Sequence, residues 1–253
     1  MKLHYKILGE GEPLIIMHGL FGMLDNWQTL GKKWAENYQV ILVDLRNHGH
    51  SPWDEEHTYQ LMMEDLEELT DDLFLEDINL IGHSMGGKLA MKFAQRFPQL
   101  MHKLVVADIG PKKYPVHHQK ILDGLHNVPI DTVKSRTEVK NYLAEYIAEE
   151  SNIQFFLKNL YWIEKGKLAW RFNLDGLTNN IQFVGEDLLS GHFVGPTQFI
   201  RGGNSNYILD EDWTDIQNSF PNSQLDTIPN AGHWLHAENP NMFFDKVDAF
   251  LSK

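Results

Sequence analysis

Along the first 110 residues, short uninterrupted apolar runs alternate with longer stretches in which apolar residues recur every three or four positions. LIIMH (14 to 18), VILVD (40 to 44), INLIG (78 to 82) and KLVVAD (103 to 108) are of the first kind and predict strands buried on both faces. Between them, 26 to 37, 58 to 75 and 85 to 97 carry helical spacing, as at Leu61, Leu66, Leu69 and Leu73. Strand and helix in alternation predict an α/β fold, a mostly parallel sheet flanked by helices.

From about 111 to 195 the pattern changes. Segments such as TEVKNYLAEYIAEESNIQFFLKNLYWI interleave charged and aromatic residues with no buried-strand run between them, and predict a small helical cap inserted before the late strands. After Pro196 strand patterning resumes in TQFIRG and SQLDTIP, followed by a helical tail from Pro240 to Leu251. The expectation is a single domain over 1 to 253, with the cap at 111 to 195 covering the sheet edge where open α/β folds bind ligands.

Composition narrows the partners. With 35 acidic against 22 basic residues the chain carries a net charge of -13, which opposes nucleic acid and anionic membrane surfaces and leaves a small molecule as partner. The absence of cysteine removes disulfides, thiolate ligands and thiol nucleophiles, and suits a reducing compartment. No apolar run reaches membrane-spanning length and the first residues lack a leader pattern, so a cytoplasmic protein is expected. Histidines such as His117-His118 show no helical pairing supported by carboxylates, so neither a metal nor another cofactor is expected.

The chemistry concentrates in INLIGHSMGG, where Gly82-His83-Ser84-Met85-Gly86 stands between an apolar strand and a helix. In that context a sharp turn exposes a serine hydroxyl beside the positive end of a helix, and only small flanking residues fit. Ser84 is therefore the candidate nucleophile. A hydroxyl needs a base and an oxyanion site. His233 in NAGHWLH follows the last strand and precedes the last helix, at the same sheet edge; His236 lies one turn further on. The turn after His18-Gly19 offers the N–H of Leu20, or of Phe21, to hold an oxyanion together with that of Met85; an ordinary strand-to-helix turn is the other reading of HGLFG.

These segments, with DLRNHGHS (44 to 51), VADIGP (106 to 111), WRFN (170 to 173), RGGNSNY (201 to 207) and GHWLHAENP (232 to 240), resemble the YbfF-type esterases of the α/β-hydrolase superfamily nearly end to end. The resemblance implies a cytoplasmic serine esterase or thioesterase, acting on short acyl esters and acyl-CoA thioesters, with a small helical cap.

One departure from the superfamily pattern stands out. Most α/β-hydrolases keep the third catalytic residue, an aspartate, on the loop after the strand matching TQFIRG, and here Asn204-Ser205 holds that place. Neither side chain carries the charge that stabilises an imidazolium. Asp108, ending the strand after the nucleophile's helix, emerges at the same edge as Ser84, and the resemblance to the YbfF-like branch places the acid there, with Ser205 as an auxiliary fourth member. A cap or turn role before Gly110-Pro111 is the alternative for Asp108, a plain turn residue for Ser205, and Asp210 is the nearest other carboxylate.

Phe21, Tyr114, Tyr207 and Trp234 are candidates for an acyl pocket or for packing. Arg171, between aromatic neighbours, either faces an anionic part of the substrate or forms a salt bridge within the cap. Glu67-Glu68 and Asp71-Asp72 read as a solvated helix face. The residues together predict hydrolysis of carboxylic esters or acyl-CoA thioesters through an acyl-serine. The rival readings are a C–C hydrolase or lyase with the same triad, as in menaquinone biosynthesis, and a receptor that only binds a small ligand.

Overall fold

The computed structural model describes residues 1–115 and 118–253; His117 lies outside the described residues. The chain runs β1 (His4–Leu8), β2 (Glu12–Met17), α1 (Gln28–Trp34), β3 (Tyr38–Asp44), α2 (Tyr59–Asp72), β4 (Ile78–His83), α3 (Met85–Arg96) and β5 (Met101–Ala107). Next come α4 (Gln119–Asn127), α5 (Arg136–Ala144), α6 (Glu150–Lys158), β6 (Leu160–Glu164), β7 (Lys167–Trp170) and α7 (Leu174–Asn179). The last part is β8 (Thr197–Gly202), α8 (Trp213–Ser219), β9 (Ser223–Ile228), α9 (Leu235–Glu238) and α10 (Pro240–Leu251).

Seven strands form one sheet in the order β1-β3-β2-β4-β5-β8-β9, with β1 antiparallel and all other pairs parallel. Alternation along each strand sends its residues to opposite layers. Ile15, Met17, Ile41, Val43, Leu80, Leu104, Val106 and Phe199 join the core under α2, α3 and the insertion. Leu14, Ile16, Val40, Leu42, Ile81, Val105 and Ile200 join the core shared with Trp34 of α1 and Phe243 and Val247 of α10. Burial on both faces explains why the central strands read as unbroken apolar runs.

Two elements were not legible in that pattern. β1 is an edge strand whose five residues are exposed or half-buried, so it lacks an apolar run. LYWI, expected as part of a helix, instead opens the hairpin β6-β7, because α6 ends at Lys158 and Gly166 takes a φ of +81° in the connecting turn. Among the described residues, segment 111–195 thus holds four α-helices and a two-stranded hairpin. Among the described residues no helix is long and apolar enough to cross a membrane.

Candidate active site

The parallel strands bring the ends of β2, β4, β5 and β8 to one edge, and the candidate residues sit there. Ser84 occupies the turn between β4 and α3 with φ 53° and ψ -117°, a conformation that side-chain-bearing residues rarely adopt. Glycines make room for it. A Cβ on Gly82 would lie 2.2 Å from the Gly86 carbonyl oxygen, and one on Gly86 would lie 2.6 Å from the His18 carbonyl oxygen.

His233 Nε2 is 3.0 Å from Ser84 Oγ, and its Nδ1 is 2.8 Å from Asp108 Oδ2. The carboxylate accepts from Nδ1–H, which leaves Nε2 with a lone pair aimed at the serine hydroxyl. Asp108 itself has φ +51° and is fully buried. Its Oδ1 accepts from Gly202 N–H at 3.0 Å and its Oδ2 also accepts from the Ser205 hydroxyl. The last residue of β8 and the loop after it thus donate two hydrogen bonds to the carboxylate that follows β5. Asp210, by contrast, is directed outward, 2.6 Å from Arg201 and 90% exposed.

The turn carrying Leu20 is held from beneath by neutral imidazoles. His48 accepts from Phe21 N–H at 3.0 Å while donating to the Arg46 carbonyl at 2.9 Å. His18 accepts from Leu45 N–H at 3.1 Å while donating to the Gly19 carbonyl at 2.8 Å. Each ring thus needs one protonated and one bare nitrogen, and burial lowers the pKa of both. Phe21 has φ +59° and its N–H is given to His48, which leaves the Leu20 N–H as this turn's candidate oxyanion donor. Met85 supplies the first N–H of α3, which has no acceptor within the helix. Leu20, Ser84 and Met85 line one narrow cleft together.

Other groups support His233. His83 Nε2 donates to the His233 carbonyl at 2.8 Å, fixing the loop, and burial holds its pKa well below the usual histidine range. Tyr207 stacks on the His233 ring at 4.0 Å between centroids, and burial pushes the Tyr207 hydroxyl up to about 12. Tyr114 donates to the Tyr207 carbonyl at 2.6 Å and accepts from Gly110 N–H at 2.8 Å. His236 is no base for Ser84: it is buried, stacked on Trp27 at 4.3 Å, and burial lowers its pKa to about 3.

A cavity of about 210 Å³ opens over Ser84, walled by Phe21, Phe155, Phe156 and Trp234 among others. A wider groove of about 590 Å³ runs past His233, Ser205 and Tyr207 toward Lys112 and Lys113. Arg171 is not brought to either space. Its guanidinium lies 3.7 Å from the centre of the Tyr161 ring, within the hairpin of the insertion.

Two supports escaped sequence reasoning. His83 was visible only as the variable residue of Gly-x-Ser-x-Gly. Lys88, one helical turn beyond Ser84, is fully buried and donates to the carbonyls of Pro111, Lys112 and Glu186, the two ends of the insertion. A lysine on an otherwise apolar helix face was its one signal.

The family defined by the alpha/beta hydrolase fold matches residues 12–129. An esterase/lipase of Haemophilus influenzae is 40% identical over 95% of this chain and 83% of its own length. The esterase YbfF of Escherichia coli is 34% identical over 96% of this chain and 94% of its own. Among solved structures, a marine microorganism esterase superposes with a TM-score of 0.95 at 40% identity, covering 98% of this chain and 99% of that one.

Proposed function

The chain belongs to the YbfF-type esterases of the α/β-hydrolase superfamily, and on that premise we propose that it hydrolyses acyl esters in two steps through an acyl group carried on Ser84. The observation that supports this most is the unbroken line Ser84 Oγ, His233, Asp108, with spacings of 3.0 and 2.8 Å. In the first step Ser84 Oγ attacks the ester carbonyl as its proton passes to His233 Nε2. The positive imidazolium forms against Asp108, and the negative carbonyl oxygen meets the N–H groups of Leu20 and Met85. Collapse breaks the bond to the leaving oxygen, which takes the proton from Nε2. Water, deprotonated by the same nitrogen, then attacks the acyl-serine; the bond to Ser84 Oγ breaks, Oγ takes the proton back from Nε2, and the carboxylic acid leaves.

The apolar cavity of about 210 Å³ suits the acyl part, and the open groove suits the leaving group. An open groove accommodates a bulky thiol as readily as a small alcohol, so acyl-CoA thioesters belong to the same proposal, as does a cytoplasmic location. The test is a turnover panel of p-nitrophenyl esters and acyl-CoAs of graded chain length, with a serine-directed phosphonate as probe. We expect turnover that favours short acyl chains and a single adduct on Ser84. An adduct elsewhere, or turnover untouched by the phosphonate, would overturn the reading.

A further inference from the structure

Away from the catalytic edge, three donors meet at the start of the sheet's edge strand. His4 opens β1 and is in register with Asp44, which ends β3, so the two side chains project from adjacent positions of an antiparallel pair. The turn after β3 brings His50 back over them. One ligand atom each from His4, Asp44 and His50 lie within 4.8 Å of one another.

The arrangement is held by its own hydrogen bonds. The Ser51 hydroxyl accepts from His4 N–H at 2.7 Å and donates to the Asp44 carbonyl at 2.5 Å, tying the strand to the turn. Asp44 Oδ1 accepts from Leu24 N–H at 2.7 Å, and Oδ2 accepts from His50 N–H at 2.9 Å. Gly49 is needed for the close approach: its φ is +58°, and a Cβ there would lie 2.1 Å from the Asp44 carboxyl carbon.

The charge balance points to a ligand. Asp44 is fully buried; the Leu24 and His50 N–H groups satisfy one lone pair on each oxygen, and among the described residues no lysine or arginine adds a countercharge. Buried carboxylates ordinarily face a cation or a metal. What faces this one is His50 Nδ1, 3.6 Å from Oδ2, beyond hydrogen-bond range. Two ligands each about 2.0–2.1 Å from a shared tetrahedral ion stand roughly 3.4 Å apart, close to that separation. Both imidazoles are solvent-accessible, which gives an ion a path in.

We propose that His4, Asp44 and His50 form a binding site for one divalent transition-metal ion, zinc by preference. Two imidazoles and one carboxylate suit zinc or cobalt better than calcium or magnesium, which seek oxygen shells. Water completes the coordination on the exposed side. The site stands apart from Ser84 and takes no part in ester cleavage. Its effect is mechanical: the ion joins β1 to the turn at 45–51, and Asp44 passes that restraint to Leu24 in the segment following Leu20.

The test uses the full chain stripped with chelator and titrated with Zn²⁺ by calorimetry, then with Co²⁺ by visible absorption. We expect one site, d–d bands of a low-coordinate cobalt ion, and a thermal midpoint raised by on the order of 5–10 °C at about a hundredfold excess over Kd. His50→Ala and His4→Ala should each weaken binding at least tenfold with the apo midpoint and esterase turnover unchanged. A chelate built on His4 and its adjoining backbone alone would survive His50→Ala, and that result would overturn the proposal. So would a metal that raises the midpoint equally in the double variant, or no binding at millimolar Zn²⁺.

Discussion

The catalytic edge and the cap segment at 111–195 are built on different terms. At the edge, the groups of the proposed reaction are held by hydrogen bonds from residues far apart in sequence: Asp108 by Gly202 and Ser205, His233 by Asp108 and His83, and the Leu20 turn by His48. The cap supplies walls rather than reacting groups. It shares the hydrophobic core under α2 and α3 and is tied to the body by hydrogen bonds such as those from Lys88 to its two ends, from Asn159 Nδ2 to the Phe21 carbonyl at 2.9 Å, and from Tyr59 to the Val184 carbonyl at 2.8 Å. Chemistry demands positions accurate to fractions of an ångström, whereas a pocket wall demands only shape. Changes at the edge should therefore cut kcat, and changes in the cap should shift substrate preference and KM.

The widest separation of the two regions comes from Ser84→Ala. It should lower turnover by about 10⁴-fold or more and abolish phosphonate labelling, with the fold unchanged by circular dichroism. Residual activity within tenfold of wild type would place the chemistry elsewhere.

Acid should break the edge before the cap. His18, His48, His57, His83 and His236 are all buried there with lowered pKa values, about 3 for His57 and His236. Below the ordinary histidine value of about 6.5 the unfolded chain takes up protons that the folded chain refuses, so stability present above that pH is lost as pH falls. Each buried histidine contributes up to about 1.4 kcal/mol per pH unit, roughly several kcal/mol together between pH 6.5 and 5. Urea midpoints measured across this range should fall steeply. A midpoint that is flat down to pH 4.5 would contradict the neutral-imidazole supports.

Lys88→Met keeps the bulk and removes the donors that hold both ends of the cap. KM should rise several-fold while phosphonate still labels Ser84, and an unchanged KM would show that the clamp does not shape the pocket. Burial lowers the Lys88 pKa to about 7. Between there and its unfolded value near 10.5 the unfolded chain binds the extra proton, so stability rises with pH in that window, and this rise should vanish in Lys88→Met. Ser205→Ala should cost least, under about tenfold in kcat, because Asp108 keeps Gly202 N–H and His233 as partners.

The same contrast governs how much was legible in the amino-acid pattern. LIIM, VILV and KLVVA are buried on both faces and so appear as apolar runs, and Gly82, Gly86 and Ser84 mark a turn that only small residues permit. β1, half in solvent, has no such signature, and in LYWI an edge hairpin looks like one side of a helix. That Asp108 emerges at the same edge as Ser84 was readable because β5 runs parallel to β4, while its role as the acid rested on the resemblance to the YbfF-type esterases as well. Phe21 left two oxyanion donors open, since its engagement with His48 is a contact between loops 27 residues apart. Arg171 looked like an anion binder because nothing in WRFN shows that Tyr161 lies across the hairpin.

The placement of the proposed triad's acid at the end of β5, rather than on the loop after β8, sets this site apart from the common α/β-hydrolase pattern. It is tested most directly by kcat for Asp108→Asn, with and without Ser205→Asp in the same chain. An amide at 108 holds the wrong imidazole tautomer, so kcat should fall about 10³- to 10⁴-fold with KM nearly unchanged. Ser205 already bonds to the Asp108 carboxylate, so a carboxylate introduced at 205 should restore part of the lost rate. Full activity in Asp108→Asn, or the large loss appearing in Asp210→Asn instead, would contradict the account.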